Sequence, residues 1–361
     1  MKKFFIILLS ISIAFSCLGC KTNEKPQENN VSIETLPNEP NESITALPNE
    51  MVEAKTMFDI TLSFAGDCML ATNKDQMTSG SFNEYSQNNS PDYFFKNVKS
   101  IFEEDDFTMV NLENVFTNSN VSPISKSGDR VFWFKSKTSN VDILTAGGVD
   151  GVSLANNHTN DYGSKGYEDT ILTVSNADLQ YGTNNDKIVY FEKEGFRIAI
   201  ICSTLWSSYG TNSIVNKIKE AENQSNYQIV FFHGGTEGIH QPENWKREAS
   251  KKMIDEGADL VIGNHPHVLQ PMEEYNGKTI IYSLGNFCYG GHRQPKNRTI
   301  IFQNKITVNK NDFSIEKEEN QIIPCYVYTA NLNNYQPTPI TDEIEKQKVI
   351  DFMNNKTESP Y

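Results

Sequence analysis

Five apolar stretches of this chain share one unusual ending. "LSFAGD" (62–67), "TMVNLEN" (108–114), "GVSLANNH" (151–158), "IVFFHGG" (229–235) and "LVIGNHPH" (260–267) each begin as a buried strand and then break into amides, carboxylates and imidazoles. A sheet interior does not accept such groups unpaired, since burying one costs roughly 1–3 kcal/mol by protein mutational data. The arrangement that resolves the conflict is a set of strands whose carboxyl ends open into a single crevice, where α/β sheets gather their ligands. All six histidines lie between 158 and 292, and four of them stand in these endings.

The stretches between the endings fit that arrangement. Phe95, Val98, Ile101 and Phe102 predict a helix over 91–104, "SNVDILTAGGV" (139–149) a helix stopped by glycine, and 167–177 and 244–258 two more. Strands are expected at 59–66, 107–114, 151–156, 195–204, 227–235, 259–264 and 278–287, with an alternating stretch after Arg298. Helices between strands define an α/β class with covered sheet faces. The strand-rich end implies a second sheet or added hairpins. After Ala330 the chain reads as an extended, Pro-containing segment and then a short helix.

The N-terminus sets the expected location. "MKKFFIILLSISIAFSCLGC" has two lysines, an apolar run and a small-residue exit, the pattern of a secretory signal too short to span a bilayer. Leu18-Gly19-Cys20 resembles a bacterial lipobox, which makes Cys20 the expected lipidation site and Cys17 the second candidate. The expected place is the extracytoplasmic face of the cell membrane, and diacylation suits stable anchoring. Residues 21–56 are rich in Asn, Glu, Pro and Ser, repeat "LPNE" and read as a disordered tether. The folded domain is placed at 57–330 and a C-terminal extension at 331–361. Cys68, Cys202, Cys288 and Cys325 are widely spaced, form no C-x-x-C, and are expected as buried thiols, one disulfide being the alternative. The net charge of −14 argues against sequence-blind nucleic-acid binding. It leaves an anionic substrate open, because bound cations reverse the local sign of a pocket.

Carboxylate oxygens, imidazoles and an amide oxygen at strand ends suit a divalent transition metal. In an extended His265-Pro266-His267 the two imidazoles would face one side. They could serve two neighbouring cations, which in hydrolytic sites stand roughly 3.5–4 Å apart.

The order of these motifs resembles the CapA family of capsule-synthesis proteins associated with poly-γ-glutamate, whose fold is related to the calcineurin-like metallophosphoesterases. The resemblance covers about residues 59–290 and rests on "GDCML", "VNLEN", "VSLANNHTNDYG", "HGGTEG", "GNHPHVLQ" and "YSLGNF". It implies a layered α/β sandwich of two central sheets flanked by helices, and one or two divalent metal ions, with Mn, Zn and Fe undistinguished. Asp67 and His267 would hold the first, Asn157, His233 and His265 the second, and Glu113 would bridge them. His158 would face substrate as general acid or hydrogen-bond donor, oriented by Asp161, whose other reading is a turn-forming residue. Glu237, Asn286 and Arg293 are candidate substrate contacts. His240, His292, Lys296 and Arg298 read as loop residues, and Trp206 and Tyr209 as core covers.

Several positions depart from the relatives' pattern. Met69 stands where true metallophosphoesterases place a histidine, and Thr72 where relatives carry arginine. Gly234 and Gly238 replace a Trp and a Tyr, and Val115 a Pro. The leading expectation is a surface-anchored, metal-dependent hydrolase acting on an anionic polymer or phosphoester, alongside membrane-bound capsule synthase components. The alternatives are a non-catalytic polymer-binding or synthase-partner scaffold, and an exported phosphoesterase unrelated to capsule.

Overall fold

The strand Met57–Met69 organises the molecule, and its burial changes along its length. Its first residues alternate between exposed and buried, whereas Leu62 onward is buried on both faces. The computed structural model describes residues 56–128 and 131–361; the segment expected as an export signal, Cys20 and all but the last residue of the expected tether lie outside the described residues. Lys55–Tyr361 form one unit.

Met57–Met69 lies mid-sheet, antiparallel to Thr299–Asn309 on one side and parallel to Phe107–Leu112 on the other. Gly151–Ser153 and Gln180–Gly182 continue the parallel side, and Ile315–Tyr326 and Thr338–Pro339 the antiparallel side. A second sheet runs in the order Leu269–Tyr275, Lys278–Leu284, Leu260–Asn264, Tyr227–His233, Phe196–Thr204, Val189–Lys193, with a parallel centre. The two sheets face each other across a core that includes Leu62, Phe64, Ile200, Phe231, Ile262 and Phe302. Phe64 and Phe231 meet across the layers with ring centroids 5.9 Å apart. Each such side chain contributes about 1.5–3 kcal/mol by leaving water. Helices cover the outer faces, with Phe95, Phe102, Leu144 and Val174 against the first sheet and Ile214, Ile218, Ala249 and Met253 against the second. This is the expected layered α/β sandwich.

Local departures have local causes. The helix expected over 91–104 divides into Asp92–Phe95 and Lys99–Glu104. Val98 N–H donates to the Phe95 carbonyl three residues back, a tighter turn that brings Phe95, Val98 and Phe102 into one cluster. The strand expected to reach Asn156 stops at Ser153. Beyond it, the Ser153 hydroxyl accepts from Ala155 N–H at 3.2 Å and the Thr159 hydroxyl donates to the Leu154 carbonyl, replacing the ladder. The later strands form hairpins that widen both existing sheets.

In the tail, Asp342 caps the helix Glu343–Met353 through Ile344 and Glu345 N–H groups, both at 3.0 Å. Val349, Phe352 and Met353 fill the inter-sheet core, so residues 331–361 pack within the same unit. Cys68, Cys202, Cys288 and Cys325 are free and buried. No helix among the described residues is long and apolar enough to cross a membrane.

Candidate metal centre

Parallel strands from both sheets deliver their carboxyl ends to one place. A bulge between Ala65 and Asp67 re-aims the first strand there. Gly66 is required at the bulge, because a Cβ would lie 1.9 Å from the Gly285 carbonyl oxygen. Glu113 follows the strand Phe107–Leu112, His233 ends Tyr227–His233, and His265 and His267 follow Leu260–Asn264.

His265-Pro266-His267 is not extended as expected. His265 has φ +94° and His267 φ +57°, both left-handed conformations that cost a non-glycine residue about 1–3 kcal/mol. The sharp turn, rather than strand alternation, brings the two rings to 5.6 Å between centroids. Surrounding bonds hold it: the Pro266 carbonyl accepts from Gly238 N–H at 2.8 Å, and the His265 N–H donates to Asp67 Oδ2 at 3.3 Å.

The donor atoms fall into two groups, Asp67–Glu113–His233 and Glu113–His265–His267, each within 4.8 Å. Glu113 is common to both. This pairs His265 with His267, and His233 with Asp67, where the resemblance divides them otherwise. His267 Nδ1 nevertheless lies 3.0 Å from Asp67 Oδ2, and His233 Nε2 lies 3.0 Å from His265 Nδ1. Asn157 Oδ1 is 2.8 Å from His233 Nε2, at the exposed edge. Asn286, expected at the substrate, is buried and clasps His267: its Oδ1 is 2.9 Å from Nδ1 and its Nδ2 donates to the His267 carbonyl at 3.1 Å.

The charges are mutually adjusted. Burial pushes the Asp67 carboxyl up, but hydrogen bonds with His233 and His267 outweigh it and hold it well below the usual carboxylate range. Burial disfavours charge on His267, yet Glu113 and Asp67 raise its pKa to about 10. His265 is driven the other way, by burial and then by the charges of His233 and His267.

Glu113 tests whether a cation fits. It is 0% exposed, and neither carboxylate oxygen has a hydrogen-bond partner. His233 Nε2 at 3.4 Å and His267 Nε2 at 3.8 Å stand at ion-pair distance only. A buried carboxylate whose oxygens accept no hydrogen bond costs several kcal/mol, even with charges nearby. Its oxygens, set among imidazole nitrogens, are the donor set a divalent transition metal prefers. Cys68 offers no thiolate, since burial lifts its pKa to about 12. The residues fit a divalent cation.

His158 stands outside both groups. Its Nδ1 is 2.8 Å from Asp161 Oδ2, and its ring lies edge-on to Phe134. Asp161 also accepts from Phe134 N–H at 2.8 Å and from Lys126 Nζ at 2.5 Å, so its carboxylate orients the imidazole and joins it to these two distant residues. Asn156 sets the turn by accepting from His158 N–H at 3.1 Å and donating to the Leu112 carbonyl at 2.8 Å.

A cavity of about 1020 Å³ opens over the centre, lined by Asn157, His158, His265, His267, Glu237 and Lys126 among others. Arg293 does not line it; exposed, with its guanidinium beside Gly80, it borders an adjoining cleft. Trp206 is not a core cover: it is 48% exposed, with its ring edge-on to His265 at 4.8 Å, and Tyr209 is 94% exposed. The signal for Trp206 was its place just past Phe196–Thr204, the parallel neighbour of the His233 strand. Lys126 carried none, being one lysine in a Ser-rich loop. Met69 is buried in a cluster with Phe134 and Tyr289. Thr72 is occupied with Asn83, whose N–H it accepts at 3.1 Å. Gly234 abuts the Leu205 carbonyl oxygen so closely that a Cβ would lie 1.7 Å from it. His240 bonds the Leu269 carbonyl at 2.8 Å, and Arg298 pairs with Glu345 at 2.6 Å, so both serve the fold.

Carboxylates from one sheet and imidazoles from the other, meeting beneath an open cavity, define a layered α/β protein with a candidate divalent-metal centre. The sequence profile described as "Bacterial capsule synthesis protein PGA_cap" matches residues 61–290, and the chain belongs to that family. It is 27% identical to the PGA biosynthesis protein CapA of Bacillus subtilis (strain 168) over 325 residues, 82% of this chain and 79% of that one. It is 26% identical to the capsule biosynthesis protein CapA of Bacillus anthracis over 323 residues, 82% and 74% of the two chains. Among solved structures, a phosphatase from Mycoplasma pneumoniae is similar at TM-score 0.44 and 15% identity, over 74% of this chain and 94% of that one.

Proposed function

We propose that this member of the capsule-synthesis family is a metal-dependent hydrolase of envelope-polymer synthesis, anchored through Cys20 on the extracytoplasmic face of the membrane. Its substrate would be an anionic polymer of the poly-γ-glutamate kind or a phosphoester, and its partners membrane-bound synthase components. The observation that carries the metal-dependent part is Glu113, a fully buried carboxylate with two unpartnered oxygens between two groups of donors. Divalent cations held there would supply Lewis acidity and a water of lowered pKa. Asp67, Glu113, His233, His265 and His267 would hold the cations, with Asn157 at the open edge. Asp161 accepts from His158 Nδ1–H, so Nε2 is the ring nitrogen that, in the imidazolium form, would give its proton to a leaving oxygen or nitrogen. Trp206 shields the His265 ring from solvent on one side.

Purified protein loaded with Mn, Zn or Fe should bind one or two ions and hydrolyse a γ-glutamyl polymer or a phosphoester. Asp67→Asn and His267→Ala should lose both properties. Absence of bound metal, with equal activity in wild type and variants, would sink the hydrolase reading. Cys20→Ala should release the protein from membranes.

Met69 favours a second reading, a polymer-binding scaffold, because a buried thioether occupies the place of a metal-binding histidine. Polymer binding that survives both substitutions, with no turnover in any form, would establish that reading instead.

A further inference from the structure

Behind the centre lies a buried lysine that the proposed chemistry does not use. Lys246, in the first turn of the helix Asn244–Asp255, is fully buried. Its Nζ donates to the Gly234 carbonyl at 2.9 Å and to Gln270 Oε1 at 2.9 Å. Gln270 Nε2 donates in turn to the Ile239 carbonyl at 2.8 Å. The segment from Gly234 to Ile239 is therefore gripped at both ends by one connected pair of side chains. Gly234 is fixed on its other side as well, its N–H donating to the Asn264 carbonyl at 3.1 Å. Within the segment, the Thr236 hydroxyl donates to Glu243 Oε1, one turn from Lys246.

This segment begins one residue after His233 and carries Glu237 into the cavity. Burial is costly enough to a lysine head group to lower the Lys246 pKa to about 7, and an apolar side chain would fill the same volume without that penalty. What distinguishes Lys246 is thus its contacts, and they converge on the main chain of the site loop. We propose that Lys246 is a positioning residue, joined by Gln270 in an internal brace that fixes the 234–239 loop and with it the His233 imidazole. The effect on cation binding rests on the metal-centre reading; the effect on the loop does not.

Hydrogen exchange on the full, metal-free protein tests the loop. Lys246→Met and Gln270→Leu should each speed exchange in a peptide covering 233–241 by roughly tenfold, the effect of losing a buried hydrogen bond. A peptide covering 196–204 should be unchanged. Titration with Co²⁺ alone tests the link to the centre. Both variants should bind it roughly tenfold more weakly, with an altered d–d spectrum, whereas a merely structural role would lower Tm and leave the spectrum as in wild type. Lys252→Met, exposed on the same helix, should change neither readout. Unchanged exchange at 233–241 overturns the brace. Faster exchange with wild-type Co²⁺ affinity overturns its role in placing His233. If wild type itself binds no Co²⁺, the hydrolase proposal falls, and the brace is decided by exchange alone. Should Lys246→Met fail to fold, Gln270→Leu decides, since it severs the same brace from the other end.

Discussion

Replacing Glu113 with glutamine keeps the shape of the residue and removes the charge common to both donor groups. A ligand that binds only the folded state stabilises it by RT ln(1 + [L]/Kd), about 2.7 kcal/mol at a hundredfold excess over Kd. For a unit of roughly 300 residues, unfolding entropy near 2.1 cal/mol/K per residue gives about 0.6 kcal/mol per degree. Wild-type Tm should therefore rise by about 4 °C between chelator and a hundredfold excess of divalent cation. Glu113→Gln should gain less than about 1 °C under the same conditions. Without cation its Tm should change little, because two effects oppose. The variant sheds the cost of a buried carboxylate but also loses the leading favourable influence on the His267 charge. Differential scanning calorimetry with and without chelator reads the difference directly. A wild type indifferent to cation, or a variant that gains as much as wild type, refutes the assignment of Glu113.

Three further outcomes can be checked. Burial, outweighing Ser63 and Thr108 and aided by Asp150 and Asp106, raises the Asp105 pKa from 3.8 to about 7. A raised carboxyl favours folding below its unfolded pKa, and that advantage fades as pH climbs towards 7. The full rise is worth about 4 kcal/mol, and because water reaches part of the half-buried carboxyl, Asp105→Asn should add about 2 kcal/mol at pH 8 and nothing at pH 3.5 in urea unfolding. Gly234→Ala, which drives a Cβ into the Leu205 carbonyl, should cost at least about 3 kcal/mol in the same assay. His158→Ala should keep its cation content by elemental analysis while losing turnover, whereas Asn157→Ala should bind cation more weakly.

What the sequence made legible was local. A strand that ends in polar residues advertises itself within a few positions, so Asp67, Glu113, His233, His265 and His267 could be singled out together. Their backbone could not. The proline at 266 argued for extended geometry, yet tertiary bonds from Asp67 and Gly238 impose a left-handed turn on both histidines. Nor could residues that reach the site from a distance be read. Lys126 meets Asp161 across 35 positions, and Lys246 meets Gln270 across 24. Asn286 illustrates the same limit: a polar residue at a strand end can face a ligand or clasp a neighbour, and only packing decides. The helix Thr211–Glu222 displays Ile214, Val215, Ile218 and Ala221 at helical spacing, a signal the sequence does carry.

The donors come from two walls. Asp67 and Glu113 belong to the first sheet, and His233, His265 and His267 to the second. A cation held by both would act as a rivet at one end of the sandwich, resisting any sliding or parting of the layers that leaves the strands within each layer paired. No fragment that forms a single layer owns the complete set, so the rivet closes only after both walls stand. Its removal should therefore speed the opening of the molecule more than it slows its assembly.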